Sequence, residues 1–185
     1  MMNKGPESDE GLMLRVVRGQ RECLATLIRR HASSLLTYIE RMIGDQHRAE
    51  ELFQEVFLAV WSKRRQYKFP RPFRAWLFGI ATNRCRSEFR KTGPNTYSLD
   101  DGQPLMAVSA DPTPLDTAIA TETSAIVAGA IAALPPRQRS VIVLRVWNNL
   151  SYAEIGRILS CSETTARSHM HHGLAAVRRY VEPRL

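Results

Sequence analysis

Between Gly93 and Ala130 the chain carries no lysine or arginine, although 26 are spread through its 185 residues. That gap opens with GPNTYSLDDGQPLMAVSADPTP, in which Gly93-Pro94, Asp101-Gly102, Pro104, Pro112 and Pro114 interrupt every run long enough to become a helix or a strand. A breaker-rich stretch of this length is foreign to the inside of a compact domain and reads as a connection between two domains. Charge divides the chain at the same place: residues 1–92 are net +8, residues 93–130 net −5, and residues 131–185 net +5. The expectation is two small domains, 1–92 and 115–185, joined by a flexible acidic linker at 93–114.

Both flanks carry helical periodicity. Leu24, Leu27, Ile28, Leu35, Leu36, Ile39, Met42 and Ile43 recur on one stripe, which predicts continuous helix across residues 12–44. Asp45 stands where it can cap a second helix, with Leu52, Phe53, Val56, Phe57, Val60 and Trp61 on its inner side. Pro70 and Pro72 break the chain, and FRAWLFGIATNRCRSEFRK follows as a third helix. Beyond the linker, residues 115–134, RQRSVIVLRVWNN, 151–159 and about 163–180 read as helices as well. No segment alternates as a strand does, so the fold class is all-α: an N-terminal helical bundle and a C-terminal helix-turn-helix.

The overall charge of +8 favours a polyanionic partner without specifying a fold. No run of 18 apolar residues exists, so no membrane insertion is expected. The opening MMNKGPESDEG lacks the apolar core of a signal peptide. Cys23, Cys85 and Cys161 are too dispersed for a disulfide framework or a zinc knuckle, which gives a cytoplasmic reading with reduced thiols.

Residues 151–180, SYAEIGRILSCSETTARSHMHHGLAAVRRY, carry the C-terminal motif. Ser151 and Glu154 make a capping box, the break at 160–162 is short, and Ala166, Met170, Leu174 and Val177 form an inward face. Thr164, Thr165, Arg167, Ser168, His171 and His172 lie on the other side of the first turns, the turns that enter a major groove. Arg178 and Arg179 follow within reach of phosphates. His169 and His172 are three apart on the helix, but a zinc site requires about four ligands and no partner set accompanies them. No metal and no cofactor are therefore expected.

The helix AEELFQEVFLAVW presents Glu50, Glu51, Gln54, Glu55 and Leu58 opposite its apolar side. An acidic face within a domain of net +8 suits a protein partner better than DNA.

That segment resembles the part of bacterial sigma factors that docks on the clamp helices of the RNA polymerase β′ subunit. FRAWLFGIATNRCRSEFRK resembles the −10 reading segment, and LPPRQRSVIVLRVWNNLSYAEIGRILSCSETTARSHMHHGLAAVRR the −35 reading domain, of the extracytoplasmic-function group within the sigma-70 family. The likeness covers about 12–92 and 115–181. It implies a non-enzymatic alternative sigma factor that joins core RNA polymerase through β′ and β, recognises promoter DNA and supports its opening. An anti-sigma factor is the family's usual further partner. By this resemblance Glu51, Leu52, Gln54, Glu55 and Leu58 face polymerase, and Asn83 helps hold a flipped −10 base. The loop containing Tyr67, Lys68 and Phe69 walls that base's pocket, while Lys63, Arg64, Arg65, Arg74, Arg84 and Arg86 neutralise phosphates. Thr164, Thr165, Arg167, Ser168, His171, His172 and Arg178 address the −35 element. The resemblance also places the linker in polymerase's channels, with Asp100, Asp101, Asp111 and Asp116 against basic walls.

This chain departs from the family in places. Trp76-Leu77 stands where housekeeping sigma factors pair two tryptophans, so Trp76 is either the one remaining wedge or a core residue. Ala166 and His169 replace a common valine and arginine in the recognition helix, which leaves the promoter sequence open. Two other readings compete: a helix-turn-helix regulator acting without polymerase, and a metal-dependent protein built on the histidines. The first leaves the acidic helix unexplained, and the second lacks a ligand set.

Overall fold

The computed structural model describes residues 7–92 and 118–184. Among them are eight α-helices and no strand, as the periodicity requires. The linker at 93–114 and its aspartates lie outside the described residues.

Helix α1 (Asp9–Val17) starts under a Ser8 cap whose hydroxyl accepts from the Gly11 amide at 3.1 Å. It is separate from α2 (Arg21–Ile43), which corrects the expectation of one helix over 12–44. The chain turns at Gly19, whose φ of +94° is open only to glycine at low cost. The apolar stripe resumes in phase on the far side, so periodicity alone conceals the break. Asp45 caps α3 (Gln46–Ser62), accepting from the Arg48 amide at 2.8 Å. After a short 3-10 turn at Arg64–Gln66, α4 runs from Phe73 to Thr92. The Phe73 amide, which has no partner within its own helix, donates to Glu10 of α1 at 3.0 Å.

The centre of this bundle is Tyr38, fully buried, with its ring edge-on to Phe78 and its hydroxyl 2.8 Å from Thr82 Oγ1. Burial and the Cys85 sulfur push its phenol well above the ordinary tyrosine range. A neutral tyrosine with a satisfied hydroxyl fits an apolar core without the cost of a stranded donor.

Beyond the undescribed segment come α5 (Ala118–Ala132), α6 (Pro136–Val146), α7 (Tyr152–Leu159) and α8 (Glu163–Val181). Pro136 occupies the first turn of α6, where its missing N–H would have had no partner. Both halves of the capping box on α7 form: the Glu154 amide donates to Ser151 Oγ, and the Ser151 amide donates to the Glu154 carboxylate. That carboxyl is held below its usual range, first by the Ser151 side chain and then by its amide. Ser160, at φ 54°, closes α7 in the left-handed conformation. The turn into α8 is tight enough that a β-carbon on Gly156 would come within 2.7 Å of the Cys161 carbonyl oxygen. At the other end of the motif, a β-carbon on Gly173 would meet Ile142 of α6 at 2.7 Å.

The two groups of helices share one buried cluster, from Leu27, Tyr38 and Met42 on one side to Leu134, Leu144 and Leu150 on the other. Arg139 of α6 crosses between them, donating from Nη1 to the Met42 carbonyl at the end of α2 at 2.6 Å.

Candidate nucleic-acid and protein interfaces

On α3 the outward face carries Glu51, Gln54 and Leu58, all exposed. The Glu51 side chain is 65% accessible, and Leu58, 69% exposed, is among the four exposed large apolar residues of the described chain. Leu52, grouped with them by the family pattern, is in the core at 1%. Glu55 is half-buried, because α4 approaches it.

The acidic face is cross-linked by Arg48, which the sequence reading did not single out. Its guanidinium donates from Nε and Nη2 to the two oxygens of Glu88 on α4 at 2.8 and 2.7 Å. It also donates from Nη1 to Glu51 at 2.6 Å and from Nη2 to Glu55 at 3.4 Å. Glu88 is held below the usual carboxyl range, chiefly by its hydrogen bond to Arg48. The signal for half of this was present, since Arg48 precedes Glu51 by three and Glu55 by seven residues on one helical face. The Glu88 half was not, because the pair is 40 residues apart.

Arg84 of α4 reaches Glu55 at 3.4 Å, so the acidic face of α3 meets the basic face of α4 at this pair. Lys63, Arg65, Lys68, Phe69, Asn83 and Arg84 are exposed, with Phe69 at 57%. Arg64 sits over Trp61, its guanidinium carbon 4.1 Å from the ring centroid, and donates to the Trp61 carbonyl at 2.7 Å. Trp76 is 8% exposed and Tyr67 6%, edge-on to each other at 5.3 Å between centroids. The Tyr67 hydroxyl donates to the Arg71 carbonyl, and its phenol is pushed up to about 12 by burial and by Glu10. Both rings thus face the core, in contact with Phe73, and shape the loop that carries Lys68 and Phe69. Arg74 donates to the Asn148 carbonyl, and Arg86 is half-buried.

On α8 the side chains of Thr164, Arg167, Ser168, His171, His172 and Arg178 are exposed. Thr165 is half-buried, its amide donating to Ser162 Oγ at 3.0 Å. Arg167 pairs with Glu163 at 2.5 Å and lies 4.5 Å over the Tyr152 ring, which presents its guanidinium from a fixed platform. Burial, then Arg137 and His172, push His169 below the ordinary imidazole range, favouring its neutral form. Among the described residues no three His, Cys, Asp or Glu side chains are grouped so that they could hold a metal ion.

Two family models match: sigma-70 region 2 over residues 27–94 and sigma-70 region 4 over residues 124–177. The ECF RNA polymerase sigma factor SigW of Bacillus subtilis is 30% identical over 172 residues, spanning 89% of this chain and 91% of SigW. The chain belongs to the ECF RNA polymerase sigma factors. It is an alternative sigma factor of transcription initiation, in a family of DNA-binding proteins that join core polymerase and are not enzymes. The fold is also that of CnrH in complex with the cytosolic domain of CnrY, with a TM-score of 0.74 at 21% identity over 96% of this chain and 99% of that one. RpoE in complex with the anti-sigma factor NepR from Bartonella quintana superposes with a TM-score of 0.67 at 19% identity, covering 85% and 96%. No described helix is long and apolar enough to cross a membrane.

Proposed function

We propose that this sigma factor docks on the β′ clamp helices of core RNA polymerase through Glu51, Gln54, Glu55 and Leu58, with Leu52 bracing the face from behind. The observation that carries the reading is the make-up of the outward side of α3. An exposed leucine one turn beyond Gln54 and Glu55, with Glu51 on the same face, offers an apolar anchor at the edge of an acidic patch and suits a basic partner with an apolar notch. Domain 1–92 then reads the −10 element as single strand. Asn83, with the loop at Lys68 and Phe69 that Tyr67 and Trp76 support, receives the extruded base. Lys63, Arg64, Arg65, Arg74, Arg84 and Arg86 neutralise the backbone. The linker at 93–114 spans to domain 115–185, whose Thr164, Thr165, Arg167, Ser168, His171, His172 and Arg178 address the −35 duplex. Catalysis belongs to polymerase, the protein works in the cytoplasm, and an anti-sigma factor restrains it. The solved fold relative bound to NepR supports that last partner.

The test is co-purification with core polymerase, comparing the wild type with a Glu51→Arg, Gln54→Ala, Glu55→Arg variant of equal helicity. Retention of the wild type and loss of the variant is the expected result. If both are equally retained, the α3 face is not the docking surface.

A further inference from the structure

Helix α4 begins without a cap of its own. Arg71 and Pro72, just before it, carry no side-chain acceptor, and the Phe73 side chain is fully buried. The oxygen that meets the Phe73 amide comes from 63 residues away, Glu10 Oε1 at 3.0 Å. A carboxylate at this end of a helix accepts a donor left over by the helical ladder and suits the positive pole of the helix. Glu10 is itself presented from a fixed place, because its neighbour Asp9 ties α1 to α2. His31 Nε2 lies 2.6 Å from Asp9 Oδ2, and Arg30 Nη1 donates to Asp9 Oδ1 at 2.7 Å. His31 also touches the Phe73 ring, with 5.4 Å between the ring centroids. Two consecutive carboxylates thus fasten three helices at one point.

That point is the downstream post of the loop carrying Lys68 and Phe69. The upstream post is Tyr67, packed edge-on against Trp76 and Phe73. Between the posts the Arg71 amide donates to the Lys68 carbonyl at 2.9 Å, and the Tyr67 hydroxyl donates to the Arg71 carbonyl. A turn braced within itself in this way is aimed by its two ends. Phe69, 57% exposed and four residues before Phe73, therefore moves as the start of α4 moves.

We infer that Glu10 is a positioning residue for promoter recognition: by capping α4 from α1 it sets the place of the Phe69 ring, and with it the selectivity of the pocket for one −10 base. Glu10 acts through the loop and touches no DNA. This rests on the −10 reading of the loop at Lys68 and Phe69. An extruded base is retained by stacking and by hydrogen bonds to its edge, and both are lost at misplacements on the order of 1 Å.

The test uses holoenzyme assembled with the full chain and a linear duplex library randomised at both promoter elements, each member barcoded in its transcript and counted by sequencing. The wild type is expected to select bases at both elements. A specific base is preferred on the order of 10-fold over its rivals, and Glu10→Ala should bring that preference within about 3-fold at the extruded −10 position while leaving the −35 profile unchanged. Glu10→Gln, which keeps an acceptor oxygen, should restore the wild-type profile. Glu10→Asp withdraws the carboxylate by one methylene without removing its charge, and is read in place of Glu10→Ala should the latter fail to fold. An equal loss of transcripts from all promoters with an unchanged profile is the mark of mere support for the bundle and overturns the inference. A Glu10→Gln profile as flat as that of Glu10→Ala overturns it too. Phe69→Ala judges the −10 reading by itself. If it flattens that position and Glu10→Ala does not, only the positioning role of Glu10 fails. If it leaves the profile unchanged, the loop does not read the base, and the inference falls with that reading.

Discussion

Arg48 on α3 and Glu88 on α4 form a two-pronged ion pair, with N–O distances of 2.8 and 2.7 Å, and the Glu88 side chain is only 13% exposed. The same guanidinium holds Glu51 and Glu55, so one residue locks two helices together and orients the carboxylates of the outward face.

Arg48→Met should therefore destabilise the N-terminal bundle by roughly 1–3 kcal/mol, because a mostly buried carboxylate loses its two-pronged partner and keeps the exposed Lys91 at 3.5 Å. A folded-state pKa below the unfolded one stabilises the protein above the unfolded value, near 4.3 for glutamate, and that contribution disappears as pH falls through the folded value. The gap between wild type and variant, measured by urea unfolding at several pH values, should be full at pH 7, begin to shrink as pH nears the unfolded value of about 4.3, and close only below the lower folded value. A gap that stays constant with pH would show that the pair is not what was lost.

Leu58 is exposed, so Leu58→Asp should leave the melting temperature within about 2 °C of wild type, surface changes being within about 0.5 kcal/mol. Polymerase affinity should nonetheless fall on the order of 10- to 100-fold if Leu58 sits at the centre of the docking face. Calorimetry and a titration with labelled core enzyme separate the two effects. Unchanged affinity would move the docking face elsewhere on α3.

Gly156→Ala places a methyl group 2.7 Å from a backbone oxygen that cannot move without opening the turn. A cost of about 1–3 kcal/mol is expected, as for overpacking elsewhere. Hydrogen exchange should localise it to α7 and α8, and −35 duplex binding should weaken while the N-terminal bundle retains its protection. Uniform loss of protection would contradict this local account.

Cys85 is fully buried and its thiol is pushed up to about 12 by burial, whereas Cys161 is partly exposed at the helix-turn-helix break. Iodoacetamide at pH 8 should modify Cys161 first and Cys85 only on global unfolding, because the thiolate is the reactive form. Mass spectrometry of a labelling time course reads the order directly.

The sequence made legible what is encoded within a few residues. Ser151 and Glu154 are three apart, Asp45 and Arg48 likewise, and both caps form as the spacing implies. The break at Gly19 was hidden because the apolar stripe stays in phase across it. Trp76 and Tyr67 carry amphipathic side chains that suit a pocket wall or a core, and only the approach of Phe73 decides for the core. Arg48–Glu88 and Arg41–Trp147 join residues from different helices, so no local pattern announces them. The exposed reading residues of α8 were legible because Ala166, Met170 and Val177 define the opposite face, whereas Leu174, expected on that inward face, is 48% exposed.

The close approach of Gly173 to Ile142 has a consequence for specificity as distinct from affinity. With Ala166 buried one end of α8 and Gly173 the middle, the helix has a single permitted roll about its axis. Successive residues are set about 100° apart around that axis, as 3.6 per turn requires. A larger side chain at 173 would rotate Arg167, Ser168 and His171 together without altering any of them. The protein would keep its vocabulary of base contacts and shift the frame in which they are spoken, so a position that touches no DNA could respecify the promoter.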